Sequence, residues 1–349
     1  MDSLKHGDKK IILSGMSLEE LEDLMTRMGE SKFRARQLHN WIYSKSVSSV
    51  DEMTNLSKKF REALSEIAVI TDVKISQRLI SSDGTVKYLV EYPDGNCVET
   101  VLMRFDNRAN LTACISSQVG CAVGCKFCAT GKRGFIRNLT VKEIIEQILT
   151  IQRDTGLKIT NVVYMGQGEP LLNFENVVSS IDFLNKEFEI GIRRITVSTS
   201  GIVPKIYELA KLNRQLTLAL SLHAPEHELR KKLMPIESIY HLDELIKSLR
   251  YLTEQTGRRV TIEYTVIDHV NDSIEHAKEV NKLLKGLNCN INLIPYNPVE
   301  NDEFRKPDIN RINKFKYILE QSGKKVTVRL ERGADIMAAC GQLSGQKRT

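Results

Sequence analysis

Cys121, Cys125 and Cys128 follow the spacing C-x3-C-x2-C in the run Cys121-Ala122-Val123-Gly124-Cys125-Lys126-Phe127-Cys128. Three thiolates this close in sequence can hold three irons of a cubane iron–sulfur cluster and leave the fourth iron without a protein ligand. A structural zinc site closes its coordination shell, whereas a reactive metal keeps a position open. No second C-x2-C pair follows to close the shell, so the spacing points to chemistry. The competing reading is a zinc site completed by Cys114.

Other residues carry chemical potential singly. In Met165-Gly166-Gln167-Gly168-Glu169-Pro170 the glycines permit close backbone approach to a ligand, and Glu169 can pair with an ammonium group. Ser198, Ser221, Leu222, His223 and Asn297 stand in short phrases that read singly as ordinary strand ends, with His223 a satisfied core histidine. Cys340 has the small neighbours Ala338, Ala339 and Gly341, as a thiol on a moving loop requires, although free cysteines near a C-terminus are usually inert. Cys114 reads as a buried strand cysteine, and Glu99 in Val98-Glu99-Thr100-Val101 as an outward-facing strand carboxylate. Cys97 and Cys289 match no motif and read as structural.

These residues need a frame. Ser17-Leu18-Glu19-Glu20 forms a capping box for a first helix that stops near Gly29. Further helices are expected around Arg34–Ser44 and Lys58–Ile67. Residues 73–104 alternate as a β-meander with turns at SSDG and Pro93-Asp94-Gly95. From about residue 110, strands at Thr112–Ser117, Asn161–Met165, Arg194–Thr199, Leu216–His223, Arg259–Ile267, Asn290–Pro295 and Lys325–Leu330 alternate with amphipathic helices. Those helices fall at roughly 140–155, 175–187, 204–213, 240–256, 272–286 and 308–322. Such alternation implies an α/β fold of parallel βα units, either a doubly wound sheet or a full or partial barrel. Working residues in these folds lie at the C-terminal ends of strands. The cysteine triad follows the first strand, Glu169 the second, Ser198 the third, His223 the fourth and Asn297 the sixth. No G-x-G-x-x-G opens the first unit, which counts against a dinucleotide. The expected division is a helical RNA-binding module over 1–70, a β-meander linker over 71–109 and a catalytic domain over 110–349.

Hydrophobic content of 41% and charged content of 27% in 349 residues are those of a water-soluble chain with material for a large core. The charged N-terminus lacks a signal-peptide pattern, and no run approaches ~20 apolar residues, so a cytoplasmic protein is expected. Seven cysteines, three of them crowded together, do not make a secreted disulfide framework. The net charge of +6 is concentrated: Lys32, Arg34, Arg36, Lys45, Lys58, Lys59 and Arg61 in one stretch, and Lys126, Lys132, Arg133, Arg137 and Lys142 in another. Both would attract a polyanion, and Phe33, Trp41, Tyr43, Phe127 and Phe135 offer rings for stacking on bases. The alternative is a pair of ordinary solvated faces.

The cysteine triad after the first strand and the Gly-Glu motif after the second resemble the radical S-adenosylmethionine (SAM) superfamily. The phrases CISSQVGCAVGCKFCATG, MGQGEPLLN, STSGIVP, SLHAP, LIPYNP and AACGQL resemble the adenosine C2-methyltransferases of 23S ribosomal RNA and tRNA, over nearly the whole chain. The resemblance implies a partial or near-complete (βα) barrel, a [4Fe–4S] cluster on Cys121, Cys125 and Cys128, and SAM held by Gly168, Glu169, Ser198, Ser221, Leu222, His223 and Asn297. It implies that Cys340 takes a methyl group from one SAM, that a radical from a second SAM activates it, and that Cys114 releases the product through a transient disulfide with Cys340. Glu99 matches the family's proton acceptor; whether Glu99 or Cys114 removes the C2 proton stays open. Gln167 stands where many relatives carry methionine. The implied substrates are an adenosine in the peptidyl-transferase region of 23S rRNA and the adenosine 3′ of the anticodon in some tRNAs. Such a base must be splayed out to reach a buried radical. The implied partners also include an electron donor such as flavodoxin or ferredoxin, with no membrane, and the chain acting as a monomer. Two alternatives stand beside this: a C8-methylating rRNA cousin, disfavoured by the phrase Gly168-Glu169-Pro170-Leu171-Leu172-Asn173, and a non-catalytic zinc-stabilised RNA-binding protein.

Overall fold

The structure is a computed structural model and describes residues 10–105, 108–299 and 303–346. Helix α1 (Leu18–Arg27) starts at Ser17, whose hydroxyl accepts from Glu20 N–H while the Glu20 carboxylate accepts from Ser17 N–H. Its buried residues Leu21, Leu24 and Met25 face α2 (Lys32–His39). That helix runs on as a π-type turn over Asn40–Ser44, so the expected single helix keeps its place but changes pitch. With α3 (Lys58–Ile67) these helices make a small N-terminal module, tied in by a parallel pairing of Ile11–Ile12 with Ala68–Val69.

The rest is built on one ten-stranded sheet in sequential order. Three strands, β1 (Lys74–Ile80), β2 (Val86–Glu91) and β3 (Cys97–Phe105), pair antiparallel with one another, and β3 continues antiparallel onto β4 (Arg108–Cys114). From β4 the sheet is parallel through β5 (Asn161–Tyr164), β6 (Ile195–Thr199), β7 (Thr217–Ser221), β8 (Val260–Val266), β9 (Cys289–Pro295) and β10 (Val326–Val328). The meander is therefore hydrogen-bonded into the catalytic sheet and is not a separate linker between two bodies. Among the described residues β10 pairs only with β9, so the parallel part is an open barrel.

The helices expected between the strands are present, among them α5 (Val141–Thr155), α6 (Phe174–Glu187), α7 (Val203–Lys211) and α9 (Leu242–Thr256), and two short ones were not expected, α4 (Ala129–Arg133) directly after the cysteine loop and α8 (His227–Leu233). The outer side of α5–α6 carries the N-terminal module. His39 Nε2 lies 2.6 Å from the Glu187 carboxylate, Gln152 Nε2 donates to Ser46 Oγ, and the Tyr43 ring packs on Phe183 and Phe188.

The open side of the barrel is crossed by the C-terminal segment 333–346. Lys87 Nζ donates to Met337 O, Ala129 N–H to Gly341 O at 2.8 Å, and Thr130 Oγ1 to Leu343 O at 2.6 Å. Asn297 Nδ2 reaches Cys340 O, and Gln342 Nε2 reaches Pro298 O. This strap joins the helix after the cysteine loop to the antiparallel strand β2 and to the segment that follows β9. No helix among the described residues is long and apolar enough to cross a membrane.

Candidate active site

The cysteine loop is bracketed by a two-stranded antiparallel ribbon, Gln118–Gly120 with Phe135–Asn138. Cys121 N–H donates to Gly134 O, and Cys128 stands immediately before α4. All seven cysteines are free thiols. Burial pushes the Cys121 thiol up to about 12 and Cys125 well above its usual value, with the neighbouring thiols adding to the latter. Such a nest holds thiolates only when a bound metal supplies the opposing charge. Cys121, Cys125 and Cys128 share the wall of one cavity while Cys114 lines another, so Cys114 does not close a structural zinc shell and the three donors suit a cluster that keeps one metal position open.

Beside the triad is a cavity of about 160 Å³ walled by Glu169, Ser198, Ser200, Ser221, His223 and Glu263. Glu169 Oε2 accepts from Ser200 N–H at 2.6 Å and Oε1 from Leu171 N–H at 2.9 Å. Burial raises its pKa, and those donors oppose the rise. His223, at φ +56°, accepts from Thr265 N–H through Nδ1, which fixes its proton on Nε2. Burial, and next the Arg230 charge, push its pKa down to about 3, so it stays neutral. Ser200 Oγ and Glu263 Oε2 are buried without a protein partner. Unpartnered buried polar atoms are costly, and a ligand with ammonium, carboxylate and hydroxyl groups, such as SAM, would satisfy them.

Three expected cofactor residues sit elsewhere. A Cβ on Gly166 would lie 2.6 Å from Ser116 Oγ, and one on Gly168 2.5 Å from Gln118 Cβ. Ser116 and Gln118 fill the room beside these glycines, which set the turn that delivers Glu169; Gly166 also lines the cavity beside the triad, and Gly168 does not. Leu222 is fully buried and sends its N–H to Glu263 O. Asn297 walls a second, larger cavity.

That second cavity, about 630 Å³, lies between the sheet's open edges and is lined by Cys114, Cys340 and Arg329 among others. Met165, Ile294, Arg329 and Cys340 line both cavities. Cys114 is buried, and its thiol is pushed up to about 12, by burial first and Cys340 second. Glu99 departs from the outward-facing reading: it is 2% exposed, paired with Lys87 at 2.8 Å through Oε1 and accepting from Gly345 N–H at 2.7 Å through Oε2. The strap covers what would otherwise be the solvent face of β3.

Sequence reasoning passed over two residues. Arg230, fully buried, donates to Ser200 O, Ser221 O and Leu222 O and pairs with Glu237, clamping the ends of β6 and β7. Inside His227-Glu228-Leu229-Arg230-Lys231-Lys232 it looks like one more surface charge. Glu263 does carry a signal, a carboxylate inside the apolar strand Val260–Val266. The RNA-facing expectations also change. Trp41, Tyr43 and Phe127 are core residues, which leaves Phe33 (64% exposed) and Phe135 (47%) as available rings. Arg137 is spent on Asp94 and Glu143, and Arg133 on the strap carbonyls of Ser344 and Gly345.

Comparison with known proteins agrees with this geometry. The family model described as Radical SAM superfamily matches residues 115–303, and that described as Ribosomal RNA large subunit methyltransferase N-terminal domain matches residues 11–70. A protein of Alkaliphilus oremlandii named "Probable dual-specificity RNA methyltransferase RlmN" is 50% identical over 96% of this chain and 98% of its own length. A protein of the same name from Clostridioides difficile is 47% identical over 96% and 98%. The crystal structure of a radical SAM methyltransferase from Sphaerobacter thermophilus superposes with a TM-score of 0.91, at 44% identity, covering 96% of this chain and all of the other. With both halves matched and relatives near half-identical end to end, the chain belongs to the radical SAM superfamily and, within it, to the RlmN family.

Proposed function

We propose that this protein is a SAM-dependent RNA methyltransferase that modifies C2 of an adenosine in 23S rRNA and of an adenosine in a subset of tRNAs. The observation that carries the reading is the position of Cys340 in the wall common to both cavities. One cavity adjoins the cysteine triad and suits SAM; the other has room for a splayed base. C2 of adenine is electron-poor and does not attack a sulfonium methyl, so the methyl must pass through a carrier. A thiol in contact with both compartments is such a carrier.

Cys121, Cys125 and Cys128 would hold the [4Fe–4S] cluster, and Glu169 and the Ser198, Ser221 and His223 wall would hold SAM. When bound, the cluster supplies the electron that cleaves SAM to a 5′-deoxyadenosyl radical. Cys340 would take the methyl group from one SAM, releasing S-adenosylhomocysteine, and its S-methyl carbon, after losing hydrogen to the radical from a second, would add to adenine C2. Cys114, lining the same cavity, is placed to release the product by forming a disulfide with Cys340. Glu99, in the family's proton-acceptor position, would take the C2 proton on the carboxylate that here pairs with Lys87 and accepts from Gly345 N–H.

RNA would be gathered by exposed cations of the N-terminal module such as Arg36 and Lys59, with Phe33 as a stacking ring. A low-potential donor such as flavodoxin or ferredoxin would supply the electrons, and a monomer suffices because every proposed residue comes from one chain.

The test is mass spectrometry of nucleosides from 23S rRNA and tRNA of cells lacking the gene and of a complemented strain. We expect 2-methyladenosine to vanish and return in both RNA classes. Appearance of 8-methyladenosine with the gene would overturn the C2 assignment.

A further inference from the structure

His227 opens α8, Glu237 lies in the 3₁₀ turn Pro235–Ser238, and His241 immediately precedes α9. These three segments bring three donor atoms to one point. His227 Nδ1 lies 2.9 Å from Glu237 Oε1 and 3.3 Å from His241 Nδ1, and His241 Nδ1 lies 3.9 Å from Glu237 Oε1. Bonds of about 2.0–2.2 Å to a tetrahedral ion place donor atoms roughly 3.3–3.6 Å apart, an edge that these separations bracket. His241 stands at an N-cap, where Ser, Thr, Asp or Asn is favoured, yet it gives its helix no side-chain hydrogen bond. Glu237 Oε1 caps the helix in its place, accepting from Leu242 N–H at 2.8 Å, and the imidazole turns to His227. The two rings are tilted by 52° and so meet through their nitrogens, not by stacking.

We propose that His227, Glu237 and His241 form a second metal site, apart from the cysteine triad, that takes a divalent transition ion, zinc, through His227 Nδ1, His241 Nδ1 and Glu237 Oε1. Two imidazoles and a carboxylate are a donor set that suits zinc. A ligating carboxylate is itself held by hydrogen bonds, and Glu237, fully buried, has Leu242 N–H on Oε1 and Arg230 Nη1 on Oε2. The exposed Glu228 carboxylate stands 3.7 Å from His227 Nε2 and favours the tautomer with its proton there, which leaves the Nδ1 lone pair for the ion. Binding replaces the proton that otherwise lies between His227 Nδ1 and Glu237; that proton moves to Nε2 or to solvent. Arg230 already balances Glu237, so the ion's charge is met by water, which both partly exposed rings admit to the fourth position. The site has a place in the larger frame. Arg230 donates to the carbonyls of Ser200 and Ser221, two residues in the wall of the cavity beside the triad. An ion on Glu237 would fasten that clamp from its outer side.

The experiment uses the cluster-loaded enzyme under anaerobic conditions, with iron and sulfide content showing that Cys121, Cys125 and Cys128 are occupied. Wild type, His227→Asn, His241→Asn and the double variant are dialysed against zinc chloride, and bound zinc is measured by elemental analysis. Glu237 is left intact because its removal would strand the buried Arg230, whereas both histidines are partly exposed and replaceable. The wild type is expected to hold about one zinc per chain, each single variant to bind it roughly tenfold or more weakly, and the double variant to retain none. X-ray absorption at the zinc edge should show nitrogen and oxygen donors without sulfur. Absence of bound zinc in the wild type, equal binding by the double variant, or sulfur in the zinc shell would each overturn the site. Amide hydrogen exchange tests the fastening: zinc should slow exchange around Ser200 and Ser221 in the wild type and not in the double variant. Unchanged exchange in zinc-loaded wild type would leave the ion bound but refute its hold on the clamp.

Discussion

At the scale of single residues, the site separates cysteines by environment more than by sequence. Three share one loop and the wall of one cavity, one is deeply buried, and one lies half-buried between two compartments. This sorting makes the roles separable by substitution. Cys114→Ala should leave the cluster and the first methyl transfer intact but trap RNA covalently on Cys340. Cys340→Ala should abolish methylation while iron and sulfide content stay at wild-type levels. The check is denaturing electrophoresis of anaerobic reactions with labelled RNA; free methylated RNA released at the wild-type rate by the Cys114 variant would refute its resolving role. The triad was legible because its spacing is local, and Cys114 and Cys340 were assignable only through resemblance to a family. Arg230 was not legible at all, because a run of charges does not reveal which one the chain will later cover.

At the scale of elements, the parallel strands could be read because a strand buried on both faces is a short β-branched apolar run, as in Val260–Val266. One helix start was read from its capping box, at Ser17, and the structure shows a second such box at Thr140, whose hydroxyl accepts from Glu143 N–H. The strap resisted reading. It has little regular structure, and its partners lie far away in sequence, with 246 positions separating Gly345 from Glu99. The face that alternation in β3 assigns to solvent is the face the strap covers, and for that reason Glu99 turned out buried. Lys87 joins the two, pairing with Glu99 while donating to Met337 O. Lys87→Ala should therefore cost about 3–5 kcal/mol of stability by stranding a buried carboxylate. Chemical denaturation of the cluster-loaded protein measures this, and a loss below about 1 kcal/mol would show the pair to be effectively solvated.

At the scale of the whole molecule, the N-terminal helices dock on the outside of the barrel through His39–Glu187 and the Tyr43 aromatic cluster, leaving the opposite side of α2 and α3 to solvent. If those exposed cations gather RNA, Arg36→Glu with Lys59→Glu should weaken RNA binding about equally for different sequences and flatten its dependence on salt, the slope falling by about one per lost phosphate contact. The rate of S-methyl-Cys340 formation from SAM should not change. Titration of RNA binding at several salt concentrations checks the first, and peptide mass spectrometry the second; an unaltered salt slope would remove these cations from the interface.

The wall shared by the two cavities also bears on kinetic order. If Cys340 is the methyl carrier, its place in both cavity walls lets it meet SAM in a compartment that RNA need not enter, and the enzyme could be charged before any RNA arrives. A population of such molecules would answer the first RNA presented with a burst limited only by the later steps. Loading and delivery would then be separate half-reactions, timed independently by the supply of SAM and the supply of unmodified RNA.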